Sequence, residues 1–220
     1  MSLHENFAPI SSGLYVEAGA KTSYAHGFGK RLLDLAIAIP ALVILSPLLL
    51  ILAILIRRGS PGPAVFRQTR LGLHGVAFEI YKFRTMTVLE NGPVIRQAVK
   101  NDARVTKTGT WMRRLSLDEL PQLLNVINGE MSLIGPRPHA LAHDRHYGVA
   151  IEGYDRRQSV KPGISGWAQV HGHRGATATT SQMRERLAYD VWYARNASFA
   201  LDLKIIGRTL GEVLNQRNAY

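Results

Sequence analysis

The feature that most constrains this chain is an apolar run at residues 35–56, which contains no charged side chain. A helix of about 22 residues is long enough to cross the hydrocarbon layer of a bilayer. The run begins far from Met1 and is followed by Arg57 and Arg58 instead of a small-residue cleavage site, which excludes a secretory signal peptide. The sequence therefore predicts a membrane helix at residues 30–58, preceded by a flexible extension at residues 1–29 that lacks a helical or strand period.

Two features of the run bear on how it enters the membrane. Pro47, near its middle, has no N–H and crowds the carbonyl of Val43, while Ser46 can donate a hydrogen bond to a carbonyl freed in this way. Basic pairs flank both ends (Lys30-Arg31 and Arg57-Arg58), so the positive-inside rule gives no direction. The residues alone leave two arrangements open: a re-entrant hairpin that breaks at Ser46 and Pro47, and a kinked helix that spans the membrane once.

The charge balance points to an anionic partner. Lys and Arg number 27 against 16 Asp and Glu, which gives a formal net charge of +11. A nucleic acid, an anionic membrane or a phosphorylated substrate would each suit this charge. The chain has no cysteine, which excludes disulfides, thiolate metal sites and a cysteine nucleophile.

Downstream of the run, the sequence predicts an α+β fold that is mostly helical. Phe66, Phe78 and Ile80 flank a glycine-containing turn at residues 71–75, which predicts a small β-hairpin. Residues 87–102 are polar and predict a loop. Helices are predicted at about residues 103–114, 118–128, 181–195 and 200–215. The last helix has an apolar stripe that can lie on a membrane surface, although burial in a core is more common; the stripe consists of Leu203, Ile206, Leu210, Val213 and Leu214.

Adjacent carboxylates at Asp118 and Glu119, preceded by Arg113 and Arg114, form the strongest local constellation. Such a pair can hold Mg²⁺ through oxygen or present a carboxylate to an electrophile such as phosphorus. Spacing alone favours a structural interpretation, in which Asp118 is the N-cap of the helix at residues 118–128 and Glu119 interacts with the helix dipole.

Two further patterns allow a binding role. Arg137, between Pro136 and Pro138, can clamp a phosphate with its planar guanidinium, although an ordinary rigid turn is favoured by spacing alone. Residues 139, 143 and 146 are histidines at helical spacing. Because no carboxylate cluster joins them, they are interpreted as polar surface residues and not as metal ligands.

Taken together, these motifs resemble those of the bacterial sugar transferases, the monotopic polyprenyl-phosphate phosphoglycosyl transferases. The resemblance covers about residues 30–215. The motifs occur in one order along the chain: KRLLD (30–34), SP (46–47), GPAVFRQ (62–68), YKFRTM (81–86), LSLDELPQ (115–122), MSLIGPRP (131–138), KPGISGWAQV (161–170), YDVWY (189–193) and LDLK (201–204).

The resemblance implies a fold, a location and a reaction. The apolar run would be a re-entrant helix-break-helix at the cytoplasmic face of the bacterial inner membrane, with amphipathic interfacial helices and a catalytic domain at residues 59–220. The reaction would transfer sugar-1-phosphate from a UDP-sugar to a polyprenyl phosphate such as undecaprenyl phosphate, with release of UMP. Because larger members carry additional segments before this unit, the chain resembles a minimal catalytic form.

The resemblance also assigns roles to individual residues and replaces the structural interpretations above. Asp118 would be the nucleophile that forms a covalent phosphosugar adduct, Glu119 would be the second member of the dyad, and Mg²⁺, held by Asp118, would offset the pyrophosphate charge. Lys82, Arg113 and Arg137 match family positions around the phosphates, and Arg174 matches a position at the nucleotide. Asp190 and Asp202 match acidic positions that could give the site polar support, and a structural role is equally open for both.

A different class of function also fits the composition. A non-catalytic basic adaptor would use the apolar run as an anchor and the charge of +11 for anionic phospholipid. Nucleic-acid binding is disfavoured, because no recognition helix or aromatic and basic sheet face is visible and the apolar run would be unexplained. Under the enzyme hypothesis, Lys30, Arg31, Arg57 and Arg58 are predicted to meet phospholipid headgroups.

Overall fold

The computed structural model describes residues 23–87, 102–175, 177 and 179–215, except for the side chains of residues 213–215. Most of the predicted extension and loop, and the side chains of Val213 and Leu214, lie outside these ranges. The elements are α1 (Ser23–His26), α2 (Phe28–Gly59), β1 (Val65–Leu71), β2 (Ala77–Phe83), α3 (Lys107–Arg114), α4 (Gln122–Asn128), β3 (Ser132–Ile134), α5 (Leu141–Ala150), β4 (Gly163–Ser165), α6 (Thr180–Asn196) and α7 (Phe199–Asn215).

Helix α2 contains the apolar run and extends over 32 residues. Within the described ranges it is the one helix long and apolar enough to cross a membrane. It continues through Ser46 and Pro47, so the predicted break is not confirmed and the re-entrant course stays a prediction. The Ser46 hydroxyl donates to the carbonyl of Val43 at 2.7 Å, as predicted for the carbonyl that Pro47 crowds.

Both halves of α2 pack against the rest of the protein. Ala38 in the first half lies in a cluster with Ile80 and Val126, and Leu52 in the second half lies in a cluster with Met112. The opposite side of the helix remains exposed and apolar, with Val43, Ile44 and Leu50 between 64% and 75% exposed. The helix therefore lies along the folded unit instead of projecting away from it.

The predicted hairpin is confirmed. Strands β1 and β2 are antiparallel, in a register that runs from Val65 opposite Phe83 to Leu71 opposite Ala77. A second small sheet pairs β3 and β4 in parallel. The remaining elements are helical, as the α+β prediction requires.

The helix predictions are confirmed with two shifted starts. Helix α3 begins at Lys107, where the Thr106 side chain caps it by accepting a hydrogen bond from the amide of Gly109. Helix α4 begins at Gln122, so the predicted N-cap role of Asp118 is wrong. A separate 3₁₀ turn holds Leu117–Glu119, and Pro121 occupies the N-cap position of α4.

Helix α7 has a buried side and an exposed side, and apolar residues lie on both. Asp202 and Ile205 are fully buried, whereas Leu203 and Leu210 are 45% and 60% exposed. Of the stripe predicted from the sequence, Leu203 and Leu210 are therefore at the surface, whereas Ile206 is partly buried against the core.

Candidate active site

The carboxylate pair lies on a tight connection between α3 and α4. Ser116 has a left-handed backbone, with φ of 59°, and the 3₁₀ turn follows at once. A left-handed conformation is uncommon for a residue with a side chain. The Arg174 guanidinium donates to the Ser116 hydroxyl at 2.5 Å. The turn thus places Asp118 and Glu119 next to each other, with Arg174 close to the start of the connection.

Glu119 is buried and binds two cations. Arg137 donates to both of its carboxylate oxygens, through Nη1 to Oε2 at 3.1 Å and through Nη2 to Oε1. Lys82 Nζ donates to Oε1 at 3.0 Å. Burial by itself would raise the pKa of Glu119, but Arg137 and Lys82 outweigh it and hold this pKa well below its usual range. Glu119 is therefore an ionised bridge between two cations that the sequence assigned to phosphate binding.

Asp118 has a different environment from its neighbour. It is half-buried, and within the described residues no hydrogen bond or ion pair engages its carboxylate. Burial and then the charge of Glu119 raise the pKa of Asp118 to about 6, against the opposing effects of Lys82, Arg113 and Arg137. The result is a half-exposed carboxylate that is mostly ionised at neutral pH and has no partner among the described residues.

The hairpin positions Lys82. This residue lies near the end of β2, opposite Phe66. Asn125, fully buried in α4, joins α4 to the same strand: its Oδ1 accepts from the amide of Tyr81 at 3.0 Å and its Nδ2 donates to the carbonyl of Glu79 at 2.6 Å. Because α4 follows the carboxylate pair directly, these bonds fix the distance between the pair and Lys82.

Two glycine-containing loops position Arg137. The amide of Gly135 donates to the carbonyl of Ser165, and the amide of Gly163 donates to the carbonyl of Pro136, both at 2.9 Å. A Cβ at Gly135 would lie 2.2 Å from the carbonyl oxygen of Lys161, so only glycine permits this approach. The sequence motifs at 131–138 and 161–170 therefore meet in space and together carry Arg137.

A buried ion pair supports the Arg137 loop from behind. Arg157 Nη2 donates to the carbonyl of Arg137 and, at 2.9 Å, to Oδ2 of Asp190. Arg157 Nη1 also lies 3.0 Å from Nδ1 of His139. Sequence reasoning missed Arg157, since no motif contains it. Asp190, predicted as polar support, reaches the site through Arg157, and His139 is buried, so its predicted surface position is wrong.

Asp202 belongs to a second set of hydrogen-bonded polar and charged side chains, which we call the anchor cluster. Its members are Tyr24, Lys30, Asp34, Ser132, Tyr193 and Asp202. Lys30 Nζ donates to Asp202 at 2.6 Å and to the carbonyl of Ile134 at 3.0 Å. The hydroxyl of Tyr193 donates to Asp202 at 2.7 Å. The residues around Asp118 form the other set, the dyad cluster, defined as Lys82, Asp118, Glu119 and Arg137.

The anchor cluster corrects one prediction from the charge pattern. Lys30 is buried, and Arg31 donates to the carbonyls of Val126 and Ile127 at 2.5 and 2.6 Å. These two cations are committed to the protein and not to phospholipid headgroups. Arg57 and Arg58 are exposed, as their predicted role requires. The first basic pair thus holds the start of α2 to the folded unit.

The described residues contain no group of three or more His, Cys, Asp or Glu side chains arranged to hold a metal ion. The side chains at the candidate site that could ligate a metal ion are Asp118 and, next to it, Glu119. Both oxygens of Glu119 are already bound to cations. Mg²⁺ usually keeps several waters and binds one or two carboxylates together with substrate phosphates. The arrangement therefore fits Mg²⁺ with a phosphorylated ligand better than a metal held by the protein alone.

Comparison with known proteins agrees with the motifs. A family profile described as bacterial sugar transferase matches residues 25–216. The chain is 48% identical over 191 residues to the UDP-glucose:undecaprenyl-phosphate glucose-1-phosphate transferase of Escherichia coli K12, covering 87% of this chain and 41% of that protein. It is 50% identical over 191 residues to the protein of the same name from Caulobacter vibrioides, covering 87% and 72%.

A third relative has nearly the same length as the aligned region. The exopolysaccharide production protein PSS of Rhizobium leguminosarum is 42% identical over 195 residues, covering 87% of this chain and 98% of that protein. In contrast, the chain spans less than half the length of the Escherichia coli relative. The profile match over most of the chain confirms the resemblance found in the motifs: the protein belongs to the bacterial sugar transferase family.

Proposed function

We propose that this protein transfers sugar-1-phosphate from a UDP-sugar to undecaprenyl phosphate or another polyprenyl phosphate, with release of UMP. The observation that carries the proposal is the carboxylate of Asp118, which has no partner among the described residues, beside Glu119, which holds Lys82 and Arg137 next to it. The names of the Escherichia coli and Caulobacter relatives support the classes of donor and acceptor. The product, polyprenyl-diphospho-sugar, suits the first membrane step of polysaccharide assembly.

The chemistry divides into two displacements at one phosphorus. An oxygen of Asp118 attacks the sugar-linked phosphorus, the bond from that phosphorus to the bridging oxygen breaks, and UMP leaves with the bonding electrons. An oxygen of the lipid phosphate then attacks the same phosphorus, and the bond to Asp118 breaks to restore the carboxylate. A covalent intermediate between two substrates gives ping-pong kinetics.

The charges around Asp118 suit these steps. With its pKa raised to about 6, Asp118 is ionised for most of the time at neutral pH and retains more basicity than an ordinary aspartate. Lys82 and Arg137, with Arg113 nearby, supply positive charge for the phosphate oxygens. Glu119 keeps two of these cations in place before substrate arrives. Arg174, bound to Ser116, is proposed to contact the nucleotide.

Mg²⁺ is proposed as the cofactor, held by Asp118 together with oxygens of the bound diphosphate. When bound, it would supply charge neutralisation for the pyrophosphate. Lys82 and Arg137, both bound to Glu119, hold fixed positive charge at the site, so the protein and the ion would share this task. Of the two described carboxylates at this site, Asp118 can bind a metal ion without breaking a hydrogen bond or ion pair, whereas Glu119 cannot.

The membrane arrangement is proposed to be monotopic, on the cytoplasmic face of the bacterial inner membrane. Support comes from α2, since both of its halves pack on the same folded unit, as expected of a helix whose two ends stay on one side of the membrane. The exposed apolar residues of α2 would lie in the lipid, together with Leu203 and Leu210 of α7. Arg57 and Arg58 remain available for anionic phospholipid.

Release of UMP tests the reaction. The full chain in nanodiscs is supplied with a panel of UDP-sugars and undecaprenyl phosphate, and Asp118→Asn is compared with the wild type. We expect Asp118→Asn to lose at least about 10³-fold in rate and to remain bound to membranes. Full activity of this variant would overturn the covalent mechanism, and absence of UMP release by the wild type with every sugar would favour the adaptor.

Cysteine labelling tests the membrane arrangement, because the chain has no native cysteine. Gly29→Cys suits the start of α2, since a Cβ there meets no other atom within 4 Å, and Arg58→Cys suits the exposed end. In sealed inner-membrane vesicles, an impermeant maleimide should label both variants to the same extent. Labelling of one variant only would establish a spanning helix.

A further inference from the structure

The inner face of the hairpin carries a guanidinium that the motif analysis did not assign. Side chains alternate along β1, so Gln68 and Arg70 share one face of the strand. The register places them opposite Ile80 and Phe78, which are both buried. Lys82 follows Ile80 by two residues and lies on this face as well. Arg70 therefore points to the same side of the hairpin as Lys82, a member of the dyad cluster.

Arg70 is held in place without being neutralised. Its backbone pairs with Ala140, three residues beyond Arg137, and its Nη2 donates to Oε1 of Gln68. Its Nε is buried and has no hydrogen-bond partner. Among the residues that the structure describes, no carboxylate lies within ion-pair distance of this guanidinium. The side chain therefore retains charge and donor capacity that the described residues do not use.

The nearby carboxylates are already committed to other groups. Arg70 interacts electrostatically with Arg137, Asp144 and Glu119. Glu119 accepts hydrogen bonds from Arg137 on both oxygens. Asp144 accepts one through Oδ1 from the hydroxyl of Tyr154 at 3.0 Å, and the same oxygen lies 3.8 Å from Arg157; its Oδ2 is buried without a hydrogen bond among the described residues. Burial and then the charge of Arg137 lower the pKa of Arg70 to about 10. A cation in this position is costly unless an external anion completes its surroundings.

We propose that Arg70 is a substrate-binding residue that donates to a phosphate oxygen beside Arg137. A guanidinium presents planar donors that match two oxygens of a phosphate. The inference rests on the proposed function, which makes phosphate esters the substrates. The oxyanion comes from the diphosphate of the nucleotide sugar or from the phosphate of the lipid, and two arms of one experiment separate these sources.

The experiment compares Arg70→Gln with a matched control, Arg67→Gln, in the full chain in nanodiscs. Arg67 lies on the same strand but on its other face, with a side chain that is 65% exposed and 3.8 Å from Glu79. Affinities are measured for two pairs of ligands that differ only in phosphate. The donor pair is UDP and uridine, and the acceptor pair is undecaprenyl phosphate and undecaprenol.

We expect Arg70→Gln to weaken the phosphate-containing member of one pair about tenfold or more, because a hydrogen bond to a charged group is lost. Weaker binding of UDP places Arg70 at the donor diphosphate, and weaker binding of undecaprenyl phosphate places it at the acceptor. Uridine and undecaprenol should bind as they do to the wild type. Arg67→Gln should leave all four affinities unchanged.

Thermal unfolding separates this role from a structural one. Because Arg70→Gln removes an unpaired cation next to Arg137, its Tm should be no lower than that of the wild type. Unchanged affinities for both phosphate ligands, or a lower Tm with equal losses for all four ligands, would overturn the inference. These affinities are measured without turnover, so the test of Arg70 does not depend on the reaction. A wild type that binds UDP but releases no UMP would contradict the proposed reaction, and the comparison of Arg70→Gln with Arg67→Gln would still decide the role of Arg70.

Discussion

The anchor cluster and the dyad cluster lie at opposite ends of one short segment, residues 132–138. They differ in how completely their carboxylates are hydrogen-bonded. In the anchor cluster, Asp202 accepts hydrogen bonds from Lys30, Tyr24 and Tyr193, and Asp34 accepts two more from Ser132 and the backbone of residue 133. In the dyad cluster, Glu119 is fully bonded while Asp118 has no described partner.

The difference separates a structural from a functional use of buried charge. A complete set of partners fixes geometry and leaves no group for a ligand. A carboxylate without a partner costs folding free energy and is retained where chemistry needs it. Lys30 donates to the carbonyl of Ile134 at 3.0 Å, and the Tyr193 hydroxyl, which donates to Asp202, lies 3.1 Å from the same carbonyl, three residues before Arg137. The anchor cluster, in which the charges are paired, thus holds the segment that places Arg137 in the dyad cluster.

The largest effect on stability is expected from Lys30→Met. The side chains of Lys30 and Asp202 are 8% and 0% exposed, so removal of the cation leaves Asp202 buried and unpaired. Such a change costs about 3–5 kcal/mol in unfolding free energy. Denaturant unfolding in detergent measures it, with the exposed Lys107→Met as control. Equal stabilities of the two variants would mean that the anchor cluster does not hold α2 to the fold.

A smaller effect, on the rate, is expected from Arg157→Lys. Arg157 binds Asp190 through Nε and Nη2, and the same Nη2 donates to the carbonyl of Arg137; one lysine ammonium cannot reproduce this fork. Because the Arg137 loop then shifts, kcat for UMP release should fall about 10–100-fold with a smaller change in KM. Asp190→Asn should behave similarly. Loss of stability without loss of kcat in the folded fraction would make this ion pair structural only.

Much of the fold could be predicted from local patterns. The hairpin, α6 and α7 follow from strand alternation and apolar spacing, which depend on near neighbours in sequence. The start of α4 could not be predicted in this way. Pro121 fits a first helical turn as well as an N-cap, and the left-handed Ser116 that redirects the chain has no signature in a single sequence.

The residues of the candidate site also differ in whether local sequence patterns could predict them. Residues within motifs, such as Asp118 and Arg137, were identified because the motifs are long and specific. Arg157 could not be, since its contacts join residues 20 and 33 positions away. Lys30 shows the opposite error: a lysine before an apolar run is typical of a headgroup contact, and only the three-dimensional structure reveals its pairing with Asp202, 172 positions away.

The pH dependence of stability should distinguish Asp118 from a paired carboxylate. Its folded-state pKa, about 6, lies above the ordinary aspartate value of 3.8. The folded protein therefore binds more protons than the unfolded chain between these values, and this residue opposes folding more strongly as pH rises. In EDTA, Asp118→Asn should therefore have a higher Tm than the wild type at pH 7, with a gap that shrinks as pH falls below about 6. A constant gap between pH 4 and 7 would contradict the raised pKa.

The smallest effect is expected at the middle of α2, far from either cluster. Ser46 donates one exposed hydrogen bond to Val43 at 2.7 Å, which is worth about 1 kcal/mol or less, and alanine recovers part of it through its higher helix propensity. Ser46→Ala should therefore unfold in detergent within about 1 kcal/mol of the wild type, and Ser46→Thr, which keeps the hydroxyl, should match it more closely. If Ser46→Ala instead approached the loss expected for Lys30→Met, the Ser46 bond would hold α2 as firmly as the anchor cluster, and the contrast between a fixed end and a lightly held middle would fail.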